Sequence, residues 1–263
     1  MTVSEQRCPI CNVTVEPNLR YPLYVCTACA CKVVSSDKRP LRFGNVSISG
    51  GLSAQYGDTG EEYPGVKCFI DGIACKAEEA RFGGVVIQAL DFRKFADLEG
   101  YLFSEVHQRF ATDGSITPFD FYCILVWKAN RAKSKTKKRL VALAKDNFGA
   151  AVARISAGLR KANSPQARLR LLMEEWDFLL PTASAVLTVL YPEEFTVYDV
   201  RVCDSIDGFH RLGSQLYSVD LWNQFLSFKE AVARKTPKTL SLRDKDRYLW
   251  GKSVHEQIAI ECV

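Results

Sequence analysis

The spacing of apolar residues changes once along this chain. Residues 1 to about 90 carry short apolar runs separated by turn residues, and nine of the 16 glycines fall between Gly44 and Gly84. Val66–Ile70 and Ile73–Ala77 flank Asp71-Gly72, a pair suited to the two positive-φ positions of a tight hairpin turn. Gly84–Leu90 (GVVIQAL) predicts a further strand. Segment 91–116 reads as a connection, with a helix around 98–110.

From Thr117 the period is helical. Thr117-Pro118 followed by Asp120 offers a hydroxyl cap, a proline in the first turn and an acid near the positive helix end. Ser164-Pro165 predicts another start, running to about Phe178. Further helices are expected over 136–145, 147–162, 182–190, 199–212, 218–234 and 241–258, the last capped by Ser241 with Asp244. The expected fold class is α+β: a small β-rich unit over 1–90, a connecting segment over 91–116 and an all-α unit over 117–263.

Cysteine chemistry sharpens the first unit. Cys8-Pro-Ile-Cys11 and Cys26-Thr-Ala-Cys29 are two C-x-x-C knuckles with 14 residues between them. Paired knuckles on facing turns supply four soft ligands in a tetrahedron, so the pattern predicts a structural Zn²⁺ in a zinc ribbon. Four thiolates close the coordination sphere and leave no position for a reactive water. Cys31, in CTACAC, is an alternative to Cys29. Cys68 and Cys75 are read as small buried hydrophobes, with a second metal half-site as the alternative. The phrase Glu78–Gly84 (EEARFGG) is read as a salt-bridged turn.

Composition adds bounds. Hydrophobic content of 47% and charged content of 25% suit an ordinary globular chain, and a net charge of +5 suits a nucleic-acid partner without establishing one. Seven of the ten cysteines lie in the first 75 residues, which fits metal in a reducing compartment. The N-terminus lacks a basic-then-apolar leader, and no apolar run is long enough to span a bilayer. A cytoplasmic protein without a membrane partner is therefore expected. No Ser-His-Asp arrangement, phosphate-binding Gly-rich loop or dinucleotide fingerprint is present.

Leu180–Val202 reads LPTASAVLTVLYPEEFTVYDVRV. A helical run from Thr182-Ala183-Ser184 is broken at Tyr191-Pro192, an extended Phe195–Tyr198 follows, and Asp199 opens the next helix. Ala183 and Asp199 are 16 positions apart. This order and spacing resemble the helix-hairpin-helix DNA glycosylases of the endonuclease III superfamily. The resemblance implies a glycosylase-like helical domain, double-stranded DNA as partner, Thr182 and Ser184 among the DNA-binding residues, and Asp199 as the catalytic carboxylate. That charge would stabilise the oxocarbenium-like sugar and activate water. An Asp at this place also caps its helix, and the two roles are compatible.

The chain departs from the family at defined positions. Asp177 and Leu179 occupy the hairpin's two glycine positions, Pro181 stands where bifunctional members carry their lysine, and Cys262 is the only cysteine near the C-terminus. A monofunctional N-glycosylase is the expected function. The alternative is a zinc-containing nucleic-acid-binding protein that keeps the fold without the chemistry.

Lys128–Arg139 (KANRAKSKTKKR) holds seven basic residues in twelve: Lys128, Arg131, Lys133, Lys135, Lys137, Lys138 and Arg139. Lying between two predicted helices, it is expected to be exposed and to contact phosphates. Trp127, Tyr198 and Trp250 are the candidates for a base pocket, with core packing as the other reading for the tryptophans. Arg243, Asp244 and Arg247 are placed to close a charged network or contact DNA.

Overall fold

The computed structural model describes residues 5–47, 50–81, 83–206 and 208–262. The chain divides into two compact units, Met1–Arg93 and Lys94–Val263. Small antiparallel sheets make up the first and helices the second.

In the first unit β1 (Gln6–Arg7) and β2 (Thr14–Val15) close a short hairpin, and α1 (Thr27–Ala30) is a single turn. β3 (Leu41–Ser47) pairs with β4 (Gly50–Tyr56), while β5 (Lys67–Ile70), β6 (Ile73–Glu79) and β7 (Val85–Ala89) form a three-stranded antiparallel sheet. The β5–β6 turn is Asp71-Gly72, at φ 50° and 82°. Asp tolerates the left-handed region and Gly is unstrained there, so the pair sets the register. That register puts Cys68 opposite Cys75. Both are fully buried beside Val33, Leu41 and Ile70, packing as hydrophobes apart from the four-cysteine cluster.

The Glu78–Gly84 phrase spans the end of β6 and its turn. Gly83 and Gly84 adopt φ 88° and 86°, and the Gly84 amide donates to the Asn45 side chain at 2.7 Å. A Lys76–Glu78 ion pair lies at 3.2 Å, and Phe82 lies outside the described residues. Strands β3 and β4 carry no clear alternation in sequence (LRFGNVS and GGLSAQY) because both faces are only partly buried.

The second unit begins earlier than the periodicity suggests. α2 (Leu98–Tyr101) runs through a π-wound turn, Leu102–Val106, into α3 (His107–Asp113). The segment 91–116 is thus no mere connection: Tyr101, Leu102, Val106, Phe110 and Ile116 are buried in the helical core. α4 (Pro118–Ala129) starts at the predicted capping box, Thr117 with Asp120. α5 (Lys133–Ala144) begins three residues before the expected 136, since Lys and Arg extend a helix readily. Its inward stripe is Thr136, Leu140 and Ala144, at i, i+4 and i+8.

α6 (Phe148–Lys161) follows, then α7 (Pro165–Arg170) with its π-wound extension Leu171–Glu175. The predicted run to Phe178 stops early because Asp177 turns left-handed at φ 53°. α8 (Leu180–Leu190) is buried along almost its whole length. The expected helix 199–212 is interrupted: α9 covers only Val200–Ser205, Ile206 is extended and buried, and Gly208 sits at φ 96°. A tight 3₁₀ turn resumes over His210–Ser214. α10 (Val219–Arg234) and α11 (Leu242–Glu261) complete the unit, capped by Ser218 and Ser241. Among the described residues no helix is long and apolar enough to cross a membrane.

Candidate functional sites: a four-cysteine cluster and a charged cavity

The first site follows from two turns. Cys8 follows β1 directly and its carbonyl accepts from the Asn12 amide at 2.9 Å, with Asn12 at φ 60° completing the knuckle. The second knuckle wraps into α1, where Cys29 and Ala30 amides donate to the Cys26 carbonyl at 3.0 and 2.9 Å. All four Sγ atoms of Cys8, Cys11, Cys26 and Cys29 lie within 4.8 Å of one another, and Cys11 and Cys26 are 3.6 Å apart. Tetrahedral Zn–S bonds of ~2.3 Å would separate the sulfurs by ~3.8 Å, so the cage has the size for one such ion.

Burial pushes the Cys8 thiol up, but amides of Cys11, Cys26 and Ile10 outweigh it and bring the group to about 6. Burial and the neighbouring thiols push Cys29 up to about 12. Four thiols this close can ligate one metal ion, and binding would displace protons from the higher members. Cys31 is exposed and stands outside the cluster.

The second site lies in the helical unit, where the end of α4, the α8–α9 connection and α11 border a cavity of about 660 Å³. Its lining includes Trp127, Lys128, Asp199, Arg243, Arg247 and Trp250. Asp199 caps α9: Oδ1 accepts from the Arg201 amide at 3.0 Å. Its Oδ2 is held by Lys128 Nζ at 2.5 Å, and that amine also donates to the Tyr198 carbonyl at 3.0 Å. The Lys128 side chain is only 10% exposed. Burial pushes its pKa below the ordinary lysine range, with the Asp199 charge opposing.

Arg243 forms the other half of the wall. It pairs with Glu99 at 2.9 Å and with buried Asp246, and lies over Phe103 and Trp127 at 5.0 and 5.2 Å from the ring centroids. Asp246 also accepts from the Thr196 hydroxyl and the Val197 amide, which fixes the segment before Asp199. Arg247 reaches Glu99 at 2.8 Å and Asp244 at 3.1 Å. Trp250 is 46% exposed, and Arg201 approaches its ring to 5.7 Å.

Several predicted residues sit elsewhere. Tyr198 is buried with its hydroxyl donating to the Phe209 carbonyl at 2.7 Å, so its ring belongs to the core and not to the cavity wall. Ser184 is fully buried: its hydroxyl accepts from the Tyr198 amide at 2.9 Å and cannot meet DNA. Thr182 is half-buried at the start of α8. Lys128 is no part of an exposed run.

The remaining basic residues divide. Lys133 is tied to Asn130, Lys137 lies near the Tyr122 and Phe148 rings, and Arg139 pairs with Asp177 at 3.3 Å. Arg131, Lys135 and Lys138 are exposed and have no side-chain partner among the described residues. Asp204 pairs with His210 at 2.9 Å, away from the cavity lining. Sequence reasoning missed Glu99 and Asp246, and it missed the Lys128–Asp199 pair. Partners 71 residues apart leave no local periodic signal.

Comparison with family models, curated proteins and solved structures found no match for this chain.

Proposed function

We propose that the helical unit excises a base from double-stranded DNA by N-glycosidic cleavage, with Asp199 as the carboxylate that faces the reacting sugar. The observation carrying this reading is that Asp199, Trp127 and Trp250 border one cavity, which also has room for an extruded nucleobase. Its order of elements, α8 opening at Thr182-Ala183-Ser184, a break at Tyr191-Pro192, an extended segment and the capping Asp199, is the order on which the glycosylase resemblance rests. As the glycosidic bond breaks, positive charge grows at C1′; a fixed carboxylate lowers the energy of that state and can orient the attacking water.

In the first unit the four cysteines would hold a structural zinc, the ion that favours four thiolates in a tetrahedron. A zinc-ribbon architecture follows from that assignment. Duplexes carrying single modified bases, incubated with the purified protein and then treated with alkali, test the function: strand breaks at the modified position support it, and uncut strands across a broad panel oppose it.

A second reading has an observation of its own. Both Asp199 oxygens are already engaged, one by an amide and one by the Lys128 ammonium. A cation so close offsets the carboxylate's field, as expected of a protein that binds nucleic acid without cleaving it.

On either reading the phosphate backbone would run along the exposed cations of α5 and its approach. Replacing Arg131, Lys135 and Lys138 with Ala should weaken duplex binding. It should also flatten the slope of log affinity against log salt by about 2–3, near 0.9 for each phosphate no longer neutralised. An unchanged slope would put the backbone on another surface.

A further inference from the structure

The chain from Phe195 to Asp199 lies in neither helix nor strand, so no backbone ladder sets the path that delivers Asp199. Side chains from two helices set it instead. On α8 the Ser184 hydroxyl accepts from the Tyr198 amide. On α11 one oxygen of Asp246, Oδ2, accepts from the Thr196 hydroxyl at 2.9 Å and from the Val197 amide at 3.0 Å. Asp246 is 2% exposed, so these donors have no water to turn to if it moves.

The other oxygen, Oδ1, accepts from Arg243, whose guanidinium also pairs with Glu99 and lies over the Trp127 ring. One carboxylate therefore ties the segment ahead of Asp199 to a wall of the same cavity. At that burial Asp246 acts through these neighbours and not on a bound molecule.

We infer that Asp246 is a positioning residue for base excision: it holds the Asp199 carboxylate in register with the Trp127 wall against which the base lies. The inference rests on reading the cavity as the excision site. Its role is orientation. Asp199 has to face C1′ of a nucleotide whose base is held by the wall, and a misplacement of about 1 Å between such groups can cost about 10²-fold in rate. The wall contacts substrate and transition state alike, whereas the carboxylate matters most as charge develops on the sugar. The loss should therefore fall on kcat and spare duplex binding.

The test compares full-length wild type, Asp246→Asn and Asp120→Asn in steady-state base release from modified-base duplexes, each below its own melting temperature. Asn matches Asp in size but has one carbonyl oxygen, so it cannot serve the segment and Arg243 together. Asp120 is the control: it is equally buried, holds Tyr101 and Arg109, caps α4 and does not line the cavity. Asp246→Asn should lower kcat by about 10–100-fold with KM and duplex affinity unchanged. Asp120→Asn should lose stability and keep kcat. Thr196→Val keeps the carboxylate and removes one of its donors, so it should lower kcat by a smaller factor even if Asp246→Asn does not fold.

Amide hydrogen exchange supplies a readout that needs no activity. The Val197 amide and the Arg201 amide, which donates to Asp199 Oδ1, should lose protection in Asp246→Asn and keep it in Asp120→Asn. Unchanged protection of both amides would overturn the inference whether or not base is released. Wild-type kcat in the Asp246 and Thr196 variants, or an equal loss in Asp120→Asn, would overturn it and leave the excision reading in place. Absence of base release by wild type from every duplex removes the excision reading, and the positioning role with it.

Discussion

Stripping the metal, or changing Cys29 to Ser, is expected to unfold the first unit while leaving the helical unit's transition in place. The unit's own core is small, built on residues such as Val25, Leu41, Ile70 and Ile87, and four of its cysteines converge on one point. Structural zinc contributes about 10–16 kcal/mol of apparent binding energy in small domains, as much as or more than the ~5–15 kcal/mol that holds a whole domain folded. Cys29 is nearly fully buried, so a hydroxyl there leaves a three-ligand cage in a place that water reaches poorly.

Metal analysis should give about one zinc per chain, matching a single four-thiolate site. Hydrogen exchange should show peptides within residues 5–90 losing protection after chelation, and those beyond Lys94 keeping it. Cys31→Ser serves as the control, because that thiol is exposed and outside the cluster. A metal-free protein with unchanged protection in the first unit would rule out a structural metal there.

The two units differ in how legible they were in sequence. Caps and turns that use a few neighbouring residues were readable: Thr117 with Asp120, Ser164, and Ser241 with Asp244 all cap their helices. Asp71-Gly72 turns as its residue types require. The cysteine knuckles were readable for the same reason, since each is a four-residue motif.

What sequence did not reveal depends on pairs far apart in the chain. Lys128 looked like the first residue of a solvated basic run, and only packing of α4 beside the α8–α9 connection makes it the partner of Asp199. Ser184 looked like a helix-start hydroxyl able to meet DNA, but it satisfies the Tyr198 amide inside the core. Tyr198 lies in an extended segment, Phe195–Tyr198, whose four residues are all buried, so nothing local separates a cavity wall from core packing there.

Asp199→Asn carries the second large effect, and the structure alters its forecast. From sequence, the amide should preserve the cap at small cost, since it still accepts from the Arg201 amide. The Lys128 pair adds a penalty: the buried ammonium loses its anion, a change worth about 1.5–3 kcal/mol for a hydrogen bond to a charged group. The variant should therefore melt at a lower temperature yet remain folded, while Asp204→Asn, which loses only a half-exposed pair with His210, should melt close to wild type. Duplex binding should persist in both. Excision should fall by about 10²–10³-fold in Asp199→Asn alone, the scale set by removing one preorganised electrostatic interaction with a transition state.

The most direct measurement is release of free base, quantified by mass spectrometry, from modified-base duplexes incubated with wild type and with Asp199→Asn below the variant's melting temperature. Wild type should release at least one base, and the variant should nearly lose that release despite comparable duplex binding. Equal release by both proteins would contradict the role of Asp199, and no release by wild type from any duplex would leave a nucleic-acid-binding protein in place of an enzyme.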